Sequence, residues 1–226
     1  IGLLDIADPN GRIGREAITA AGFQFREELT ARRQIEALGF SAADVADIVL
    51  THADPDHAGG LADFPAARVH VSSRELDGIA AGHPRYSAAQ FAHEPDWTRY
   101  EMTRATRRWF DLPSVQLKLG MPETEALLIA LPGHTHGHCG VAVRVEERWL
   151  LHAGDAYYLR GELDRDDHPV SGLSRARADD VEQWQASINV LRALRRDHWR
   201  EIEMFGYHDF SEFPTGSRSE ERRVGK

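Results

Sequence analysis

Apolar residues change their spacing several times along this chain, and each change marks a predicted element. Between Phe25 and Leu38 they recur at helical intervals, which predicts an amphipathic helix stopped by Gly39. Ser41, with Asp44 three residues on, reads as the cap of a short following helix. Ile48 to Leu50 and Arg68 to Val71 are expected as short buried strands. Ser73 is expected to cap a helix running through Ala80 and ending near Gly82. Thr124 to Leu131, Gly140 to Val145 and Trp149 to Ala153 read as successive strands, with a turn at Glu146-Glu147-Arg148. Val181, Trp184, Ile188, Leu191 and Leu194 then recur every three or four positions, so they predict a helix with one apolar face and place Trp184 in the core. Glu201 to Phe205 returns to a strand.

Residues 83–110 have no clean period. Their aromatics (Tyr86, Phe91, Trp97, Tyr100, Trp109 and Phe110) are mixed with His93, Pro95 and several arginines. Such a stretch either walls a substrate pocket or packs on the core. Packing is the expectation for most of these side chains, with one or two lining a pocket.

The densest chemistry lies in Thr51-His52-Ala53-Asp54-Pro55-Asp56-His57-Ala58-Gly59-Gly60, directly after the predicted strand at Ile48 to Leu50. Four potential ligands within six residues point to a cation site, and imidazole with carboxylate suits zinc, iron or manganese. This run resembles the His-x-His-x-Asp-His loop of the metallo-β-lactamase superfamily, with Asp54 standing where the second histidine would be. Three later stretches resemble that family's remaining motifs in their usual order: Pro132-Gly133-His134-Thr135-His136-Gly137-His138, Gly154-Asp155, and Gly206-Tyr207-His208-Asp209.

The resemblance implies a mixed α/β fold of the α+β type, an αββα sandwich over residues 1–215. Leu3-Leu4-Asp5-Ile6-Ala7 loosely matches the family's Asp-Thr-Gly turn, keeping only the aspartate. The strand or strands that precede that turn are missing, so the resemblance implies a natural protein that extends further upstream. It also implies that His52, Asp54 and His134 hold one divalent metal and that Asp56, His57 and His208 hold a second. Asp155 would bridge the two. Zinc is the expected metal; the harder carboxylate of Asp54 shifts preference toward iron or manganese. Two such cations activate a water, which makes a hydrolase of small esters or lactones the leading expectation. Asp56 would carry the proton to the leaving group. Tyr158 matches a tyrosine that acyl-homoserine lactonases of this family place beside the metals, where it can donate to an oxyanion.

The other candidates carry plainer expectations. Tyr157 points the other way and packs, and His138 orients the loop. Cys139 is a small buried group, and Arg192, Arg195 and Arg196 are solvated. His70, His83, His93, His152, His168 and His198 are surface or satisfied core residues.

Composition narrows the classes further. A chain of 226 residues with 42% hydrophobic content can bury a sizeable core. A net charge of -9 argues against binding nucleic acid or an anionic membrane, leaving a small-molecule substrate as the expected partner. A single cysteine fits a reducing, cytoplasmic setting, although the initial Ile1 leaves a leader peptide open. Residues 216–226 have no apolar periodicity and read as a disordered, non-native tail. Two other classes compete: a diiron redox enzyme of the same superfamily, motivated by Asp54, and a metal-poor binding module that has lost turnover.

Overall fold

The structure is a computed structural model that describes residues 1–104, 107–121 and 123–212. The expected tail at 216–226, and the domain limit at 215, lie outside the described residues. The chain divides into two compact units, Ile1–Ala130 and Leu131–Lys226.

In the first unit, strands β1 (Asp47–Val49), β2 (Arg68–Ser72) and β3 (Asp96–Tyr100) form a parallel sheet in that order. A parallel strand covered on both faces is apolar throughout or satisfies its polar groups internally. β2 does both: Val69 and Val71 join a core with Leu50, Ala53, Ala58 and Leu61, while His70 is buried on the opposite side. His70 is satisfied there, with Nε2 2.8 Å from Asp47 Oδ1 and Nδ1 2.9 Å from the Tyr100 hydroxyl. Burial alone would raise the Asp47 carboxyl; hydrogen bonds from the Gly120 amide and His70, with the charge of Arg68, outweigh it and hold the group below its usual range. The segment at 83–110 mostly packs, as expected: Tyr86, Phe91 and Trp97 lie against the core, and Tyr100 and Trp109 are buried.

Strands β4 (Arg107–Trp109), β5 (Leu112–Gln116) and β6 (Ala126–Ala130) pair antiparallel in sequence order. Neither β3, β4 nor β5 was legible in the sequence. The β4–β5 turn explains part of this: Phe110 and Asp111 both take positive φ, 44° and 64°, in place of the Asn-Gly that usually signals such a hairpin.

Helices α1 (Leu3–Ala7), α2 (Pro9–Arg12) and α3 (Arg15–Ala21) precede α4 (Ala31–Ala37). Two expectations are corrected here. Leu3 to Ala7 is a helical turn, not an Asp-Thr-Gly-like turn; its Asp5 is buried and takes Arg12 at 2.8 Å and Gln90 at 3.0 Å. The predicted helix from Phe25 to Leu38 is broken at Thr30, whose backbone is extended and whose hydroxyl accepts from the Arg33 amide to cap α4. Leu29 and Leu38 are exposed, so the apolar spacing there buries no face. Helix α5 (Pro55–Ala58) follows β1, and α6 (Ser73–Ala80) is capped by Ser72, one residue earlier than predicted. The Ser41–Asp44 capping box is present but closes a 3₁₀ turn.

In the second unit, β7 (Cys139–Val145) and β8 (Arg148–His152) form an antiparallel hairpin turning at Glu146, and β9 (Ile202–Phe205) pairs parallel to β8. After α7 (Ser171–Ala176), α8 (Val181–Asp197) makes the crossover; Asp180 caps it by accepting from the Gln183 amide at 3.0 Å. Trp184, Ile188, Leu191 and Leu194 are its buried stripe, as the spacing predicts. Arg192 departs from the expected solvated role. It donates to the Glu162 and Arg165 carbonyls and pairs with Asp166, fastening the segment before α7 to the helix.

Tyr157 is buried and donates to Glu212, whose carboxylate also accepts from the Gly206 amide at 2.7 Å and Arg160 at 2.8 Å. Burial first, and then the Glu212 charge, push the phenol far above its ordinary value. Tyr157 therefore keeps its proton, and the stability it contributes is fully present below the ordinary phenol pKa of about 10. That contribution is lost only as pH rises through the higher folded value. Tyr157→Phe removes a donor from a buried carboxylate and should cost about 1–3 kcal/mol, read as a lower unfolding midpoint in denaturant. An unchanged midpoint would contradict this.

Candidate functional site

In the first unit the candidate ligands emerge where β1 ends. Pro55 opens α5 at the first helical position, which suits its fixed φ, and the single turn sets Asp56 and His57 just past Asp54. His52 is fully buried, with Nε2 3.6 Å from Asp54 Oδ2 and Nδ1 3.1 Å from the Thr51 hydroxyl. His57 Nε2 lies 3.4 Å from Asp56 Oδ2, and the His52 and His57 rings are 4.0 Å apart at their centroids. All four predicted ligands of this loop are thus brought together.

Sequence reasoning missed two further residues of this neighbourhood. Glu75, in the first turn of α6, is fully buried and accepts from the Ala53 amide at 2.9 Å and the Tyr86 hydroxyl at 2.7 Å. Arg85 holds both oxygens of Asp54: Nε donates to Oδ1 at 2.9 Å and Nη2 to Oδ2. Glu75 looks in sequence like an ordinary acidic residue near a helix start. Arg85 sits in the stretch without a period, so neither had a signal of its own.

In the second unit the turn after β6 carries His134. Gly133 has φ 130°, reserved for glycine, and a Cβ there would meet the backbone of Trp184 at 2.0 Å. The Gly133 and His134 carbonyls accept from the Asp180 and Asp179 amides, docking this turn on the start of α8. Asp155 follows β8 and is buried between two imidazoles, 3.0 Å from His208 Nε2 and 3.6 Å from His134 Nε2. His138 orients both stretches, as expected. Its Nε2 accepts from the Asp155 amide at 3.0 Å, so its Nδ1 carries the proton toward the Leu131 carbonyl at 2.8 Å. Tyr158 lies with its ring 6.0 Å from that of His134 and 5.0 Å from that of His208. Cys139 is buried at the start of β7, consistent with a small apolar role.

All seven predicted ligands are among the described side chains that could hold a metal ion. Their chemistry fits one: neutral imidazole and carboxylate donors, mostly out of water, are what zinc, iron and manganese take. No helix among the described residues is long and apolar enough to cross a membrane.

Comparison with known proteins agrees with the family resemblance. A family profile described as the metallo-beta-lactamase superfamily matches residues 18–197. A Mycobacterium bovis protein named "Probable metallo-hydrolase Mb2322c" is 42% identical over 170 residues, 72% of this chain and 53% of that protein. An "N-acyl homoserine lactonase AttM" of Rhizobium radiobacter is 29% identical over 175 residues, 73% of this chain and 59% of that protein. The chain thus spans about half the length of the curated relatives it matches. Among solved structures, a mutant of AiiA from B. thuringiensis, crystallised with N-decanoyl-L-homoserine at its active site, superposes with a TM-score of 0.62. It shares 21% identity, over 82% of this chain and 64% of that one, a likeness that carries the fold.

Proposed function

The chain belongs to the metallo-beta-lactamase superfamily, and from that premise we propose that it is a metal-dependent hydrolase of small esters, with lactones the favoured class. The observation that carries this reading is the pair of ligand sets, of which His52, Asp54, His134 and Asp155 are buried. His52, Asp54, Asp56 and His57 lie at the end of β1, and Asp155 lies between His134 and His208 after β8. We take residues 1–215 as one functional domain in which the two sets serve two cation positions. By the family resemblance, His52, Asp54 and His134 would be assigned to one, Asp56, His57 and His208 to the other, and Asp155 to both. Zinc is the metal proposed, and a cytoplasmic setting goes with the lone buried cysteine. The names of the relatives favour hydrolysis over the redox and binding-only readings.

When bound, divalent cations supply Lewis acidity and lower the pKa of a coordinated water. The protein's own groups do the rest. Asp56, its side chain a quarter exposed, accepts the proton of the attacking water and returns it to the leaving oxygen. Tyr158, held beside His134 and His208, donates to the oxyanion that develops at the carbonyl. Its backbone is fixed for this, because the Tyr158 and Leu159 amides both donate to the buried Glu162 at 2.8 and 3.1 Å. Tyr158→Phe should lower kcat about a hundred-fold with little change in KM, the scale of losing one oxyanion donor. Steady-state rates on a lactone check this; an unchanged kcat would remove Tyr158 from the chemistry.

A further inference from the structure

We propose that Arg85 is a built-in cation at the metal centre. It makes the two metal positions unequal: tight where Asp56 and His57 serve, weak where His52 and Asp54 serve. This inference rests on the metal-dependent reading above.

The geometry is that of a guanidinium fork on a carboxylate. Arg85 engages Asp54 through Nε and Nη2, one nitrogen for each oxygen, and so occupies one lone pair on each and competes with a metal for the carboxylate. The pair is largely out of water, with side-chain exposures of 15% for Arg85 and 5% for Asp54, so the repulsion between a guanidinium and an incoming cation is poorly screened. Arginine cannot shed its proton to relieve that repulsion.

The contact is also braced from beneath. Glu75 is fully buried and ties Ala53, the neighbour of Asp54, to Tyr86, the neighbour of Arg85. Asp54 occupies the N-cap position of α5, where an aspartate would ordinarily accept from its own helix. Its carboxylate makes no such bond and is turned to Arg85 instead. The aspartate and the arginine act as a matched pair: the negative charge that Asp54 adds to the centre is met by Arg85 before any metal arrives.

The test is zinc titration of the metal-stripped protein with a chromogenic chelator as competitor, with stoichiometry read by elemental mass spectrometry. The wild type should hold one zinc tightly and a second at least about ten-fold more weakly. Arg85→Met should tighten the second zinc by ten-fold or more, toward two per chain. Arg85→Lys, which keeps the charge but loses the fork, should fall between, and it serves as the readout if the methionine variant does not fold by circular dichroism. Two equally tight zincs in the wild type, or the same weak second zinc in both variants, would overturn the role of Arg85 and leave the hydrolase reading standing. No zinc in any of the three proteins would overturn the metal reading itself.

Discussion

Asp155→Ala is expected to abolish hydrolysis, by a thousand-fold or more, and to lower zinc content in the same preparation. Asp155 is a buried carboxylate of the second unit set between two imidazoles, His208 at 3.0 Å and His134 at 3.6 Å. Removing it takes a negative donor from between the buried ring of His134 and the exposed ring of His208. Groups that act as a unit in catalysis lose most of the rate when any one is removed, so about three orders of magnitude is the proper scale. The backbone contact from the Asp155 amide to His138 is untouched by the substitution, so the turn itself should persist. Asp155→Asn separates charge from shape: it keeps the outline and one acceptor oxygen, and it should still lose most activity if the charge is what matters. Initial rates, elemental analysis and circular dichroism on the same sample make the comparison. Full activity in both variants would move the chemistry elsewhere in the chain.

The second large effect falls on folding. Gly133→Ala places a methyl group 2.0 Å from the Trp184 nitrogen and 2.3 Å from its Cα, on a residue whose φ of 130° L side chains rarely adopt. Backbone at the start of α8 cannot yield as a flexible side chain would, because the Asp179 and Asp180 amides bind the same turn. Steric overlap and backbone strain therefore add, and the cost should exceed about 4 kcal/mol, beyond the usual range for a single substitution. The expected result is insoluble protein or a strongly lowered unfolding midpoint. A midpoint within about 1 kcal/mol of the wild type would mean that the turn is not seated on α8 as described.

Much of this was legible in the chain, and the reasons are specific. The stripe through Trp184, Ile188, Leu191 and Leu194 could be read because one face of α8 is buried along its length, so burial imposes a period on the sequence. The strands from β6 to β9 were legible because their inner positions are apolar and their turns polar. Where burial does not impose a period, the reading failed. The segment from Phe25 to Leu38 has helical spacing without a buried face, and Thr30 breaks it through a local cap that outweighs the pattern. β3 and β4 carry charged residues at exposed positions, and the three residues of β4 are too few to show alternation. Of the candidate site, the seven proposed ligands were visible because ligand chemistry demands particular side chains at particular spacings. Arg85 and Glu75 were not, because they act through partners 31 and 22 residues away in sequence, and a contact at that distance leaves no local signature.

The most direct test of the central claim is ring opening of a lactone by the purified, zinc-loaded protein, followed as acid release at constant pH. The account predicts turnover of at least one lactone or small ester, lost on treatment with a chelator and restored by zinc. A fully loaded, folded protein that hydrolyses nothing across lactones, esters, thioesters and phosphodiesters would contradict it.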